Sequence, residues 1–97
     1  MEKLILRYDA TKSISRRAHV GVAGSGDLEI LCEPLSEQTA LVHIRTQSDG
    51  FGDTWQAMMD RFFLKHNVAA RMEINDFGAT PGVVSLRLAQ VIEVLEL

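Results

Sequence analysis

Val20-Gly21-Val22-Ala23-Gly24-Ser25-Gly26-Asp27-Leu28-Glu29-Ile30 is the stretch that decides how this 97-residue chain folds. Apolar residues alternate with small or polar ones on both sides of Gly24-Ser25-Gly26, which is the pattern of two half-buried strands. Glycine lacks Cβ and tolerates positive φ, so Gly24 and Gly26 allow a sharp turn that exposes the Ser25 hydroxyl. A phosphate-binding glycine loop needs a helix directly after the glycines, because the helix N-terminus holds the anion. Leu28 to Glu33 alternates as a strand, so a nucleotide loop is not expected. A nucleophile elbow is excluded as well: it reads Gly-x-Ser-x-Gly between strand and helix.

Outward from this turn the strands continue. Leu4, Leu6 and Tyr8 alternate with Lys3, Ile5 and Arg7, which predicts a first strand. Lys12 to Arg17 reads as a loop. His19 to Ala23 and Leu28 to Glu33 flank the glycine turn, and Pro34, which cannot donate to a ladder, ends the second of them. Leu41 to Thr46 predicts a fourth strand, with Val42, Ile44 and Thr46 on one side. After Ser48-Asp49-Gly50-Phe51-Gly52 the period changes. Asp53 reads as an N-cap with Gln56 three residues on, a capping-box spacing. Trp55, Met58, Met59, Phe62 and Phe63 then form one apolar stripe on a helix running to about Lys65. Arg71 to Asp76 reads as a short strand. Thr80-Pro81 starts a second helix, with Val84, Leu88, Val91 and Leu95 on its inner side.

Strands first and helices later predict an α+β domain, 1–97, in the order β-β-β-β-α-β-α. The expected architecture is a mixed or mainly antiparallel sheet of about five strands with two helices packed on one face. The composition agrees with one ordinary globular domain: 46% hydrophobic, 24% charged and a net charge of −3. The charge is uneven. Residues 1–20 hold five Lys or Arg against two acids, and the other 77 residues hold five against eleven. An acidic body argues against nucleic acid, whose phosphates need a basic face. No apolar run reaches the roughly 18 residues that span a bilayer. The start, Met1 to Arg7, is too short for a signal-peptide core, which makes the cytoplasm the default location. Cys32 is alone, so neither an intrachain disulfide nor a cysteine metal cluster is expected.

His19, His43 and His66 have no metal-ligand spacing, and His66 is expected to favour the negative end of its helix. No histidine or acid sits at a spacing that activates Ser25, so a catalytic role for it is not expected. A bare, reachable serine suits a group that another enzyme modifies. Two charged segments invite a further reading. Arg16 and Arg17 could screen phosphates of a group carried on Ser25, or dock an acidic partner. Asp27, Glu29 and Glu33 could form an acidic edge that steers a partner.

Two stretches carry a resemblance to a known family. Gly21 to Leu31 is similar to the serine motif of the malonate decarboxylase acyl carrier (delta) subunits. Asn75-Asp76-Phe77-Gly78-Ala79-Thr80-Pro81-Gly82-Val83-Val84-Ser85-Leu86-Arg87-Leu88 is similar to their carboxy-terminal signature. The citrate lyase acyl carrier subunit is a more distant likeness and the alternative. A small α+β interaction module without covalent cargo is the alternative of another class. The resemblance implies a non-catalytic carrier whose Ser25 holds 2′-(5″-triphosphoribosyl)-3′-dephospho-coenzyme A through a phosphodiester. It implies partners too: a prosthetic-group transferase, an acyltransferase subunit that exchanges acetyl for malonyl, and decarboxylase subunits. Fatty-acid carriers are helical bundles with Asp-Ser-Leu at a helix start. This chain departs from them, since Asp27 follows the serine and the region reads as strands.

Overall fold

A nine-residue strand in the last third of the chain organises the fold. The computed structural model describes residues 1–97 and orders them as β1 (Glu2–Asp9), β2 (Lys12–Ser13), β3 (Ala18–Gly21), β4 (Leu28–Pro34), β5 (Thr39–Thr46), α1 (Gly52–Lys65), β6 (Val68–Asp76) and α2 (Pro81–Leu95). The main sheet runs β1-β5-β6-β4-β3, with β2 pairing separately to β6. β6 lies in the middle, antiparallel to β4 and parallel to β5. Parallel neighbours need a crossover, and α1 supplies it between β5 and β6. The other pairs, β1 with β5 and β3 with β4, are antiparallel.

The alternation read in the sequence is the alternation of burial. Leu28, Ile30 and Cys32 of β4, Val42 and Ile44 of β5, and Met72 and Ile74 of β6 all face inward and are buried. They meet Trp55, Met58, Met59, Phe62 and Phe63 of α1 and Val84, Leu88, Val91 and Leu95 of α2 in one apolar core. α2 lies over β3 and β4. α1 reaches β1, where Tyr8 stacks on Phe63 at 4.6 Å between ring centroids. The fold is therefore α+β with a mixed sheet, and it is not a helical bundle. No helix is long and apolar enough to cross a membrane.

Four local expectations need correction. Lys12 and Ser13 are not loop but the short strand β2, in parallel register with Val68 and Ala69. Asn67 fixes it: its Oδ1 accepts from the Thr11 amide at 3.0 Å and its Nδ2 donates to Thr11 Oγ1 at 2.7 Å. Two polar residues leave no periodicity to read. The capping box at Asp53 does not form. α1 begins at Gly52, Phe51 occupies the cap position without a side-chain bond, and Asp53 lies in the first turn. There its charge still complements the helix dipole. Gln56 turns instead to Asp60 and Tyr8. β6 starts at Val68 rather than Arg71, because Ala69 and Ala70 have weak strand propensity but are buried in mid-sheet. His66 ends α1, yet burial, helped by Lys65 and Lys12, lowers its pKa, which disfavours the charged form.

The second helix starts as the sequence predicts. Thr80 Oγ1 accepts the Val83 amide at 3.3 Å and Pro81 opens the first turn. This start matters for the site, because it places the loop Phe77–Thr80 directly behind the glycine turn.

Candidate functional site

β3 and β4 form a hairpin whose last pair is Gly21 with Glu29. The connection is thus longer than two residues and runs from Val22 to Asp27. Its tip is a turn closed by the Asp27 amide donating to the Gly24 carbonyl at 3.0 Å. Ser25 and Gly26 are the central residues, and Gly26 has φ of 79°, as the third residue of a type II turn requires. Ser25 is exposed at the tip. The local side-chain bonds join Asp27 to Leu28 and Arg87, and Glu29 to His19 and Asn75; none of them takes the Ser25 hydroxyl. No hydrogen bond joins it to a base or an acid, since the nearby Asp27 is taken up by Leu28 and Arg87.

The glycines divide the work differently from the expectation. Gly26 needs its positive φ and faces open space, so nothing crowds the next residue to Ser25. Gly24 has no such constraint, since an added Cβ would meet only Val22 Cγ1 at 3.6 Å, an ordinary contact. The strict position is Gly21. Its φ is 81°, and an added Cβ would stand 2.0 Å from the Leu28 carbonyl oxygen. Close backbone approach at the base of the loop thus depends on a glycine that its neighbours in sequence do not distinguish.

The loop is clamped from below by the segment after β6. The Gly26 amide donates to the Phe77 carbonyl at 2.8 Å, and the Phe77 amide donates to the Asp27 carbonyl at 2.9 Å. Phe77 is itself placed by Asp76, which is buried at the end of β6. Asp76 accepts from Thr46 Oγ1 at 2.7 Å and from the Ala79 amide at 2.9 Å. A buried carboxylate with bonds on both oxygens is a tolerable one. The two stretches that carry the sequence resemblance, 21–31 and 75–88, are therefore one structural unit.

Arg87 of α2 completes it. Its Nε donates to Asp27 Oδ1 at 3.1 Å and its Nη2 to Asp27 Oδ2 at 2.6 Å, a bidentate pair. The Arg87 bonds hold the Asp27 carboxyl below its ordinary pKa, and the Leu28 amide adds to this. Arg87 is correspondingly raised by Asp27. The acid two residues from Ser25 is thus ionised and neutralised by its own cation.

The two charged segments find partners on the surface of the chain itself. Arg16 pairs with Glu96 at 3.1 Å, and Arg17 lies 3.9 Å from Glu33. Both precede β3, while Ser25 follows it, so roughly 13 Å of strand separates them. The acids of the proposed edge each face a cation or a polar side chain. Asp27 is held by Arg87, Glu29 by His19 and Asn75, and Glu33 faces Arg17. The cation beside the Ser25 loop is Arg87, sixty residues away in sequence from Asp27. A charged residue on the half-buried side of a predicted helix was the one signal that could have marked it. No group of three or more His, Cys, Asp or Glu side chains is placed to hold a metal.

Residues 15–95 match the family described as malonate decarboxylase delta subunit (MdcD). The malonate decarboxylase acyl carrier protein of Klebsiella pneumoniae is 43% identical over 94 residues, which is 96% of this chain and 95% of that protein. Its counterpart in Stenotrophomonas maltophilia (strain R551-3) is 46% identical over 100 residues, 98% of this chain and 94% of the other. Among solved structures, a chain of a Pseudomonas malonate decarboxylase hetero-tetramer in complex with malonate superposes with a TM-score of 0.92 at 41% identity, covering 98% of this chain and 99% of its own.

Proposed function

We infer the function from two facts taken together: this chain belongs to the malonate decarboxylase delta-subunit family, and its one prominent turn presents a free hydroxyl on a rigid base. The reading is an acyl carrier for malonate decarboxylase, with 2′-(5″-triphosphoribosyl)-3′-dephospho-coenzyme A joined to Ser25 Oγ by a phosphodiester. When bound, that group supplies a terminal thiol that can hold acetyl or malonyl as a thioester. A dedicated transferase attaches it, and the acyltransferase and decarboxylase subunits use it in turn. The carrier catalyses none of these steps.

The observation that carries this reading is the state of Ser25. The residue is exposed and its neighbour Gly26 is bordered by open space, so a bulky substituent meets no wall. Nothing nearby would activate the hydroxyl for chemistry of its own. Arg87 cancels the charge of Asp27, which removes the repulsion a phosphodiester would otherwise feel at that distance. The Phe77 bonds keep the attachment point fixed while leaving its outer side open. A rigid body with one tether lets a single thiol visit two active sites at high effective concentration. The match to the malonate family over residues 15–95 favours this assignment over the citrate lyase type.

The test is the intact mass of the protein from its host grown on malonate, followed by peptide mapping. One discrete increment on the Ser25 peptide, matching the dephospho-coenzyme A derivative, is expected. Ser25→Ala should fold normally, within about 0.5 kcal/mol, and should lose both the increment and malonate decarboxylation by the reconstituted complex. An unmodified Ser25 in cells consuming malonate would refute the reading and leave an interaction module in its place.

A further inference from the structure

The sheet face opposite the helices is uncovered, and its β1–β5 half is unlike the rest. By alternation β1 presents Lys3, Ile5, Arg7 and Asp9 there, and β5 presents Thr39, Leu41, His43 and Arg45. In register Lys3 stands directly opposite Arg45, and Ile5 opposite His43. Lys3, Arg7 and Arg45 are all exposed. None of them takes part in an ion pair, since the six pairs in the chain involve other cations. The acids nearest on this face are engaged elsewhere: Glu73 with Arg71, Glu29 with His19 and Asn75, and Glu33 beside Arg17. Only Asp9, at the far end of β1, is left on this side of the two strands.

Like charges directly opposite across a strand pair oppose folding. A chain of net charge −3 has acids enough to balance its cations, yet this cluster is unbalanced. At its centre Ile5 is 67% exposed, between Lys3 and Arg7 on its own strand, with His43 opposite and Arg45 on the diagonal. A small apolar centre with a charged rim is the composition of a protein–protein contact. Three cations are fewer than the roughly four to eight that mark an anionic lipid surface.

We propose that the β1–β5 face docks an acidic patch of another malonate decarboxylase subunit; the proposal rests on the carrier reading of Ser25. The geometry suits that use. The row Lys3, Arg45, Asn75, Glu29, Gly21 crosses the sheet in register and ends at the Ser25 loop. β1 and β3 lie at opposite edges, about 19 Å apart at strand spacing. Docking through β1 and β5 therefore leaves Ser25 at the rim, free to project its arm past the contact.

The experiment compares the unmodified wild-type chain with Lys3→Glu and Arg7→Glu for binding to the host's purified acyltransferase and decarboxylase subunits, by surface plasmon resonance at two salt concentrations. Arg61→Glu, on the exposed side of α1, is the control. Wild type should bind at least one subunit, and more weakly as salt rises. Lys3→Glu should cut that affinity at least roughly tenfold, mainly through the association rate. It should also raise the melting temperature by about 1–3 °C, because the introduced carboxylate would face Arg45 as an opposite charge. Weaker binding by a more stable protein is an outcome that a merely structural role would not give. Equal binding by wild type and both variants would overturn the docking face and leave the carrier reading intact. So would a loss that tracks a lower melting temperature, or one shared by Arg61→Glu. Because the unmodified chain is used, an unmodified Ser25 in the host would refute the carrier reading without touching this comparison.

Discussion

Arg87 and Asp27 meet through two hydrogen bonds, at 3.1 and 2.6 Å, and join the second helix to the loop that carries Ser25. Arg87 depresses the Asp27 pKa, so the pair adds stability above the ordinary carboxylate pKa of about 3.9. That contribution is lost as pH falls through the lower, folded value. Asp27→Asn should therefore flatten the loss of stability below about pH 4. The same variant should speed hydrogen exchange of the Gly26 and Phe77 amides at neutral pH. An unchanged acid profile and unchanged exchange would show that the pair does not brace the loop.

The glycines of the loop should separate cleanly. Gly21→Ala forces a side chain to φ of 81° and against the Leu28 carbonyl. It should cost at least about 2 kcal/mol in denaturant unfolding. Gly24→Ala should stay within about 0.5 kcal/mol, since its added methyl makes only an ordinary contact. Equal effects would contradict the loop geometry described above.

Cys32 is the chain's single cysteine and is buried in β4. Burial, aided by the charge of Glu33, pushes its pKa up to about 11 from 9.0. A raised thiol pKa reflects a thiolate that the fold disfavours, so stability is unaffected below the unfolded value and falls as pH climbs from there toward the folded one. At neutral pH the thiol should resist alkylation in the native protein and react in parallel with global unfolding. Rapid labelling under native conditions would count against this packing.

Phe62 is buried in the apolar stripe of α1, edge-on to Phe63 at 5.0 Å between centroids. Phe62→Ala should cost about 3–5 kcal/mol, against a total of about 5–10 kcal/mol typical of such domains. A thermal melt left unmoved would reject α1 as a core helix.

The fold was legible because its signals are periodic. Alternation at Leu4 to Tyr8 and Leu41 to Thr46, the stripe from Trp55 to Phe63, and Thr80-Pro81 each report a local geometry, and each element exists. What was not legible is what depends on distant partners. Gly21 looks like any strand glycine until Leu28 comes alongside it. Arg87 stands out in the helix as a charge on its half-buried side, but its partner Asp27 lies sixty residues away and is not readable from the chain. Arg16 and Arg17 are near Ser25 in number, but β3 carries the chain away from them. The serine itself was legible, because small residues around a lone hydroxyl need no tertiary partner to be noticed.

The central position of β6 has a consequence for order in time. β4 and β5 precede β6 in the chain, yet they do not touch each other in the sheet; β6 enters between them. A chain emerging from the ribosome can close the β3–β4 hairpin early, but its Ser25 loop stays without a floor until residue 77 has followed β6 into place. The Ser25 turn is thus shaped last, by the insertion that completes the sheet. A transferase that reads the shape of this turn would see only finished molecules, and a fragment ending before residue 68 should be a poor acceptor, as a mass increment measured on it would show.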